Sequence, residues 1–287
     1  MLRPGTWFAL LVLLVGPMAC RTTAVDTSSM TFAPEPLLGK IVWNDLITED
    51  VDAARRFYGE LFGWSFESAS RRDDRPYVVA RSGRALVAGI VQVPRPSGGV
   101  SYSRWLPYAS VNDVDAAVAK AKMEGGTVAV ASRQVGIGRV AVIVDAEGAV
   151  IGLARSRIGD PDDSTTAPGP GRVVWTELLA NDPEAASRFY ARVIGYVPHT
   201  IERHGGPYIL LSYGGVDRAG IFRNPSEQAA PTWLTSFGVD DPVAAAARVQ
   251  ALGGKVILPV SPQLRDGTMA LVEDPTGAIL ILRKTGT

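Results

Sequence analysis

Residues 39–64, GKIVWNDLITEDVDAARRFYGELFGW, return in altered form at 171–196 as GRVVWTELLANDPEAASRFYARVIGY. Trp43 answers to Trp175, and Phe57-Tyr58 to Phe189-Tyr190. A second pair follows: SRWLPYASVNDVDAAVAKAKMEGG from Ser103 and PTWLTSFGVDDPVAAAARVQALGG from Pro231, with Trp105 matching Trp233. The ends agree as well, VDAEGAVIGL against EDPTGAILIL. A duplication of this kind limits the chain to repeated copies of one unit. It predicts two homologous domains, 39–157 and 171–287, joined by a Pro-, Gly- and Asp-rich linker at 158–170. A length of 287 residues suits two domains.

A finer repeat lies inside each copy. Asp50, Asp113, Asp182 and Asp241 each open a D-x-x-A-A segment, and at constant spacing each is followed by a glycine: Gly63, Gly126, Gly195 and Gly254. An aspartate carboxylate accepts the unpaired amides of a first helical turn. Proline suits the first helical position, as at Pro183 and Pro242. Glycine ends a helix in the left-handed conformation. Four helices of about 12 residues are predicted, near the globular mean. Val51, Ala54, Phe57, Tyr58 and Leu61 form one apolar stripe, and Pro183, Ala186, Phe189, Tyr190 and Val193 another. A strand such as IVWNDL precedes each helix and three apolar runs follow it, such as WSFES, YVVARS and ALVAGIVQV. The fold class is α+β, built from tandem βαβββ modules, two per domain.

Composition narrows the function. Twenty-nine basic residues balance 29 acidic ones, which opposes binding nucleic acid through bulk positive charge. One cysteine excludes an intramolecular disulfide framework, and two histidines leave little for a His-rich centre. The N-terminus, MLRPGTWFALLVLLVGPMAC, carries an apolar run too short to span a bilayer. It reads as the core of a secretory signal, 1–19. Ending in Ala19-Cys20, it resembles a bacterial lipoprotein signal, which implies lipidation of Cys20; Pro17 departs from the usual leucine. The Thr-, Ser- and Pro-rich stretch 20–38 is then a flexible tether. The expected location is the periplasmic side of the bacterial cell envelope, held to the membrane through lipid on Cys20. An ordinary cleaved signal, with Cys20 incidental, is the alternative.

The paired modules, with VWxxL at Val42 and Val174, AARRFYGELFGW at Ala53, AASRFYARVIGY at Ala185, SVNDVDAA at Ser110, GVDDPVAA at Gly238 and DPTGAILIL at Asp274, resemble the vicinal oxygen chelate superfamily. That superfamily includes glyoxalase I, bleomycin-resistance proteins and extradiol dioxygenases. The resemblance implies a sheet curled around a cavity that takes a small molecule and usually a divalent metal. Its ligand slots, aligned here, hold Asn44, Leu106 and Gly152 in one copy and Thr176, Leu234 and Ile281 in the other. None of these is an imidazole, carboxylate or thiolate. No cofactor is therefore expected, and no catalytic residue can be named. Strand alternation puts Val42, Asn44, Leu46, Val174, Thr176 and Leu178 on the cavity side, with Trp105 and Trp233 at its mouth or in the seam between domains. The same reading puts Trp43, Asp45, Trp175 and Glu177 toward the helices. His199 and His204 are expected at the surface or a strand edge.

The primary expectation is an exported glyoxalase-like lipoprotein that binds a small molecule without the family's metal. A metal-dependent lyase, isomerase or dioxygenase and a structural envelope lipoprotein are the alternatives. Partners are a small molecule and the membrane, not nucleic acid; a homo-oligomer is compatible with all three readings.

Overall fold

The computed structural model describes residues 27–28, 30–72, 75–95, 101–136, 138–163, 168–203, 206–226 and 229–286. The signal and Cys20 lie outside the described residues, as does His204. Among the described residues no helix is long and apolar enough to cross a membrane.

The first copy runs β1 (Ile41–Thr48), α1 (Val51–Phe62), β2 (Ser65–Arg72), β3 (Arg75–Ser82), β4 (Ala85–Gln92), β5 (Arg104–Ser110), α2 (Val114–Met123), β6 (Thr127–Val135), β7 (Gly138–Val144) and β8 (Val150–Ser156). The second repeats it: β9 (Val173–Ala180), α3 (Pro183–Ile194), β10 (Val197–Arg203), β11 (Gly206–Tyr213), β12 (Val216–Arg223), β13 (Thr232–Val239), α4 (Pro242–Ala251), β14 (Lys255–Leu258), β15 (Met269–Glu273) and β16 (Ile279–Lys284). Each copy closes its own eight-stranded mixed sheet, ordered β2-β3-β4-β1-β5-β8-β7-β6 and β10-β11-β12-β9-β13-β16-β15-β14. The predicted βαβββ modules are thus present four times.

The four aspartates cap as expected. Asp50, Asp113 and Asp182 accept from the amides of Ala53, Ala116 and Ala185, and Asp241 from those of Val243 and Ala244. Gly63 and Gly195 end α1 and α3 in the left-handed region. The other two helices end differently. There the left-handed residues are Gly125 and Gly253, one position early. Gly126 and Gly254 are held instead by lack of space: a Cβ would meet Val144 O at 2.7 Å or Glu273 O at 2.5 Å. These helices are 10 residues long, not 12.

The sheets are separate but the cores are shared. One core joins α2, β7 and β8 of the first copy to β9, α3, β11 and β12 of the second, from Val114, Ala117 and Ile151 to Phe189, Tyr190 and Leu211. The other joins α1, β3 and β4 to β13, α4, β15 and β16, from Phe57, Tyr58 and Ile90 to Phe237, Val249 and Leu280. Both stripes predicted for α1 and α3 are buried here, except that Leu61 is only partly so. The helices therefore lie between two sheets that turn their opposite faces outward. At the centre the Thr235 hydroxyl, on β13, donates to Asn44 Oδ1, on β1, at 3.0 Å.

The seam is tied twice by the same device. Trp105 Nε1 donates to the Tyr58 hydroxyl (3.1 Å), which donates to Asp274 Oδ2 across the seam (2.8 Å). Trp233 Nε1 donates to the Tyr190 hydroxyl (2.9 Å), which donates to Asp145 Oδ2 (2.8 Å). All six residues are buried. Burial raises the pKa of both aspartates and lifts both tyrosine hydroxyls well above their ordinary range. The ends of the long repeat interlock too: Trp64 Nε1 donates to Gly171 O and the Tyr196 hydroxyl to Gly39 O.

The stretch expected as a tether to residue 38 is fixed for its last part. Residues 30–38 run along the linker: Ala33 N donates to Asp160 O, Asp162 N to Thr31 O, and Leu37 N to Asp160 Oδ2. Buried Asp160 also accepts the Ser110 hydroxyl, so the segment supplies one of the two donors shown for its carboxylate.

Candidate functional site on the open sheet faces

The residues of WNDL and WTEL alternate as expected, but the two faces are exchanged. Leu46 and Leu178 sit in the helix-side cores with Trp105 and Trp233, their cross-strand partners. Asn44 and Thr176 are buried on the same side, Asn44 bonded across the seam. Val42 and Val174 are partly buried and sit at a bulge, between Ile41 and Trp43 and between Val173 and Trp175, where the alternation breaks. Trp43, Asp45, Trp175 and Glu177 instead occupy the faces turned away from the helices. Asn44, Leu46, Thr176 and Leu178, expected to line a cavity, thus belong to the packed interior, and the residues assigned to the interior look outward. The reason is that β1 and β9 are buried on both sides: Asn44, Asp45 and Leu46 in sequence, and Thr176, Glu177 and Leu178 likewise.

On the first open face, Trp43 Nε1 donates to Asp45 Oδ1 (2.8 Å) and to the Tyr77 hydroxyl (3.1 Å), and Tyr77 donates to the same Oδ1 (3.0 Å). Tyr108 stands beside this carboxylate and Arg133 acts on it by charge. Burial nevertheless dominates and raises the Asp45 pKa, while the Tyr77 and Tyr108 hydroxyls are pushed well up by burial and by Asp45. On the second face, Trp175 Nε1 donates to the Tyr208 hydroxyl (2.8 Å), which donates to Glu177 Oε2 (2.8 Å). Arg265 Nη2 donates to the same oxygen at 2.9 Å. Each face therefore carries a Trp–Tyr–carboxylate cluster built on corresponding residues.

Room for each tyrosine comes from a glycine on the neighbouring strand. A Cβ on Gly89 would collide with Asp45 Oδ1 and the Tyr77 hydroxyl, and one on Gly220 with the Tyr208 hydroxyl. Gly89 pairs with Asp45 and Gly220 with Glu177. The two tyrosines and two glycines carried a usable signal, since each falls at the same place in both copies.

His199 lies on β10, half exposed, with Nδ1 3.2 Å from the Ser212 hydroxyl and Nε2 3.7 Å from Asp217 Oδ1. Ser212 donates to Asp217 rather than to the imidazole, so the hydroxyl is not poised for attack.

The donor set does not fit a divalent cation. Beside Asp45 the adjacent strands offer Leu106 and, past Tyr108, Gly152; beside Glu177 they offer Leu234 and, past Ser236, Ile281. Each carboxylate already accepts hydrogen bonds, and Glu177 is paired with a guanidinium. Among the described residues no three His, Cys, Asp or Glu side chains come together. A metal would have to displace these donors for a single carboxylate ligand.

Against known proteins, the family model of the Glyoxalase/Bleomycin resistance protein/Dioxygenase superfamily matches residues 40–163 and 172–282. The chain is 34% identical over 253 residues to "Putative glyoxylase CFP32" of Mycobacterium bovis, covering 84% of this chain and 93% of that protein. It is 30% identical over 260 residues to the anthracycline biosynthesis protein DnrV of Streptomyces peucetius, covering 86% and 92%. Among solved structures, the 2,3-dioxygenase LapB from Pseudomonas sp. KL28 aligns with a TM-score of 0.58 at 14% identity, over 87% of this chain and 93% of that one. The Mn(II)-bound glyoxalase from Novosphingobium aromaticivorans aligns with a TM-score of 0.57 at 14% identity, over 86% and 82%.

Proposed function

We propose, since the chain belongs to the Glyoxalase/Bleomycin resistance protein/Dioxygenase superfamily, that it binds a small organic molecule on its open sheet faces without a resident divalent metal. The observation carrying this reading is the pair of Trp–Tyr–carboxylate clusters, one per face, whose polar atoms are satisfied by organic donors. Trp43 and Trp175 are partly exposed and supply aromatic surface, and a ligand hydroxyl or carbonyl can compete for the tyrosine hydroxyls. The test is a ligand titration of chelator-washed protein followed by tryptophan fluorescence. Binding should quench emission in the wild type and lose most of that quenching in the Trp43→Phe, Trp175→Phe double variant. Quenching unchanged by the double variant would place the ligand elsewhere.

The name of the Mycobacterium bovis relative favours a second reading, a glyoxylase-type enzyme. The donor set above argues against its metal-dependent form. The address is part of the proposal: an exported protein anchored through lipid on Cys20, supported by the apolar run that ends at Ala19-Cys20. Membrane fractionation tests it, since Cys20→Ser should move the protein from the membrane to the soluble fraction; retention in the membrane would contradict the anchor.

A further inference from the structure

The two open faces differ in charge. On the second, Arg203 of β10, Arg265 of the turn before β15 and Arg283 of β16 surround Tyr208. The Arg265 and Arg203 guanidinium carbons lie 4.3 and 4.8 Å from its ring centroid. Arg283 pairs with Met269 on β15 and follows Ile281 by two residues on the same face; burial lowers its pKa, opposed by Glu177 and aided by the charges of Arg265 and Arg203. Glu177 lies among these cations, and Arg265 already bonds it. Among the described residues neither Arg203 nor Arg283 has an ion-pair partner. Like charges gathered on a partly buried surface repel, the more so where the dielectric is low. Guanidinium groups so placed suit the fork geometry of a carboxylate.

Three further features point the same way. The floor beside the arginines is apolar: Leu264, Leu271 and Ile279, each partly buried, pack over the buried cluster of Leu234, Met269 and Ile281. Among the described residues Arg265 and Asp266 are the non-glycine residues with positive φ, 51° and 57°, so the backbone holds an unfavourable conformation at the residue that carries the guanidinium. Among the described residues the first face shows no such cluster. Ala154 stands where β16 has Arg283, and Met30 packs over Trp43, Tyr77, Val79 and Leu86.

We propose that the second open face is a site for an apolar carboxylate, its anionic group held by Arg203 and Arg283 and its hydrocarbon body laid on Leu264, Leu271 and Ile279. This rests on the reading of the open faces as ligand surfaces. The test is calorimetric titration of the purified protein with 2-naphthoate and, separately, with the uncharged 2-naphthamide. Naphthoate should bind at one site, and the amide about tenfold or more weaker, the loss expected when a charge-assisted contact goes. Arg203→Gln, at an exposed strand end that leaves the cores untouched, should weaken naphthoate and leave the amide unchanged; Arg283→Lys should fall between. Equal binding of acid and amide, quenching Trp175, would overturn the anion site while sparing the broader reading. Failure of both ligands to bind at millimolar concentration would overturn the two together.

Discussion

Replacing Asp274 with alanine should lower the melting temperature by roughly 6–12 °C, the shift that about 3 kcal/mol produces in a chain of this size. The side chain is 1% exposed and accepts four hydrogen bonds. Oδ1 takes the amides of Thr276 and Ala278 and the Thr276 hydroxyl, and Oδ2 takes the Tyr58 hydroxyl from the other copy. Truncation leaves these donors unpaired in a buried seam, at about 1–3 kcal/mol for each that water cannot reach. It also frees the tyrosine on which Trp105 depends. Asp274→Asn keeps an acceptor in place and should cost less than half as much. Asp50→Ala makes a useful contrast. It removes a comparable carboxylate, but at a solvent-facing helix start, where the cost is about 1 kcal/mol. Thermal unfolding by circular dichroism separates the cases. Equal losses for Asp274→Ala and Asp50→Ala would mean the seam tie contributes no more than a helix cap.

Gly220→Ala should disrupt the second open face while leaving the seam intact. The added methyl would occupy the position of the Tyr208 hydroxyl, so the ring must move. Overpacking of this kind costs about 1–3 kcal/mol. Moving Tyr208 also breaks its bonds to Glu177 and Trp175 and lifts the surface on which Arg203 and Arg265 rest. Ligand binding at this face should fall below detection, with a changed tryptophan emission reporting the freed indole N–H. Adding Tyr208→Phe removes the nearest clashing atom, leaving the ring carbon Cζ still too close, and should restore a small part of the stability, a coupling that a double-mutant cycle measures directly. Additive losses would show that glycine and tyrosine do not share the space.

What could be read from the sequence follows the range of the interactions. Helix caps are local: an aspartate and the amides three residues on decide them, and all four were legible at Asp50, Asp113, Asp182 and Asp241. The modules were legible because the repeat supplies each pattern more than once. The direction of β1 and β9 was not. Alternation says that Trp43 and Asp45 share a face, but the choice of face needs one side to be polar. Here Asn44 and Asp45, or Thr176 and Glu177, put polar groups on both. The seam ties were hidden for another reason. Tyr58 and Asp274 are 216 residues apart, and nothing near either one announces the other. Arg265 carries no such signal, because the loop that holds it differs between the copies and the repeat does not single it out.

What the carboxylates of the open faces hold decides whether this protein binds its ligand without a metal. Protein purified without chelator, then dialysed against manganese, iron or zinc and desalted, can be assayed for bound metal by elemental analysis. The clusters around Asp45 and Glu177 predict metal well below one equivalent per chain, unchanged by Asp45→Asn or Glu177→Gln. One equivalent or more of retained metal, lost in either variant, would contradict it.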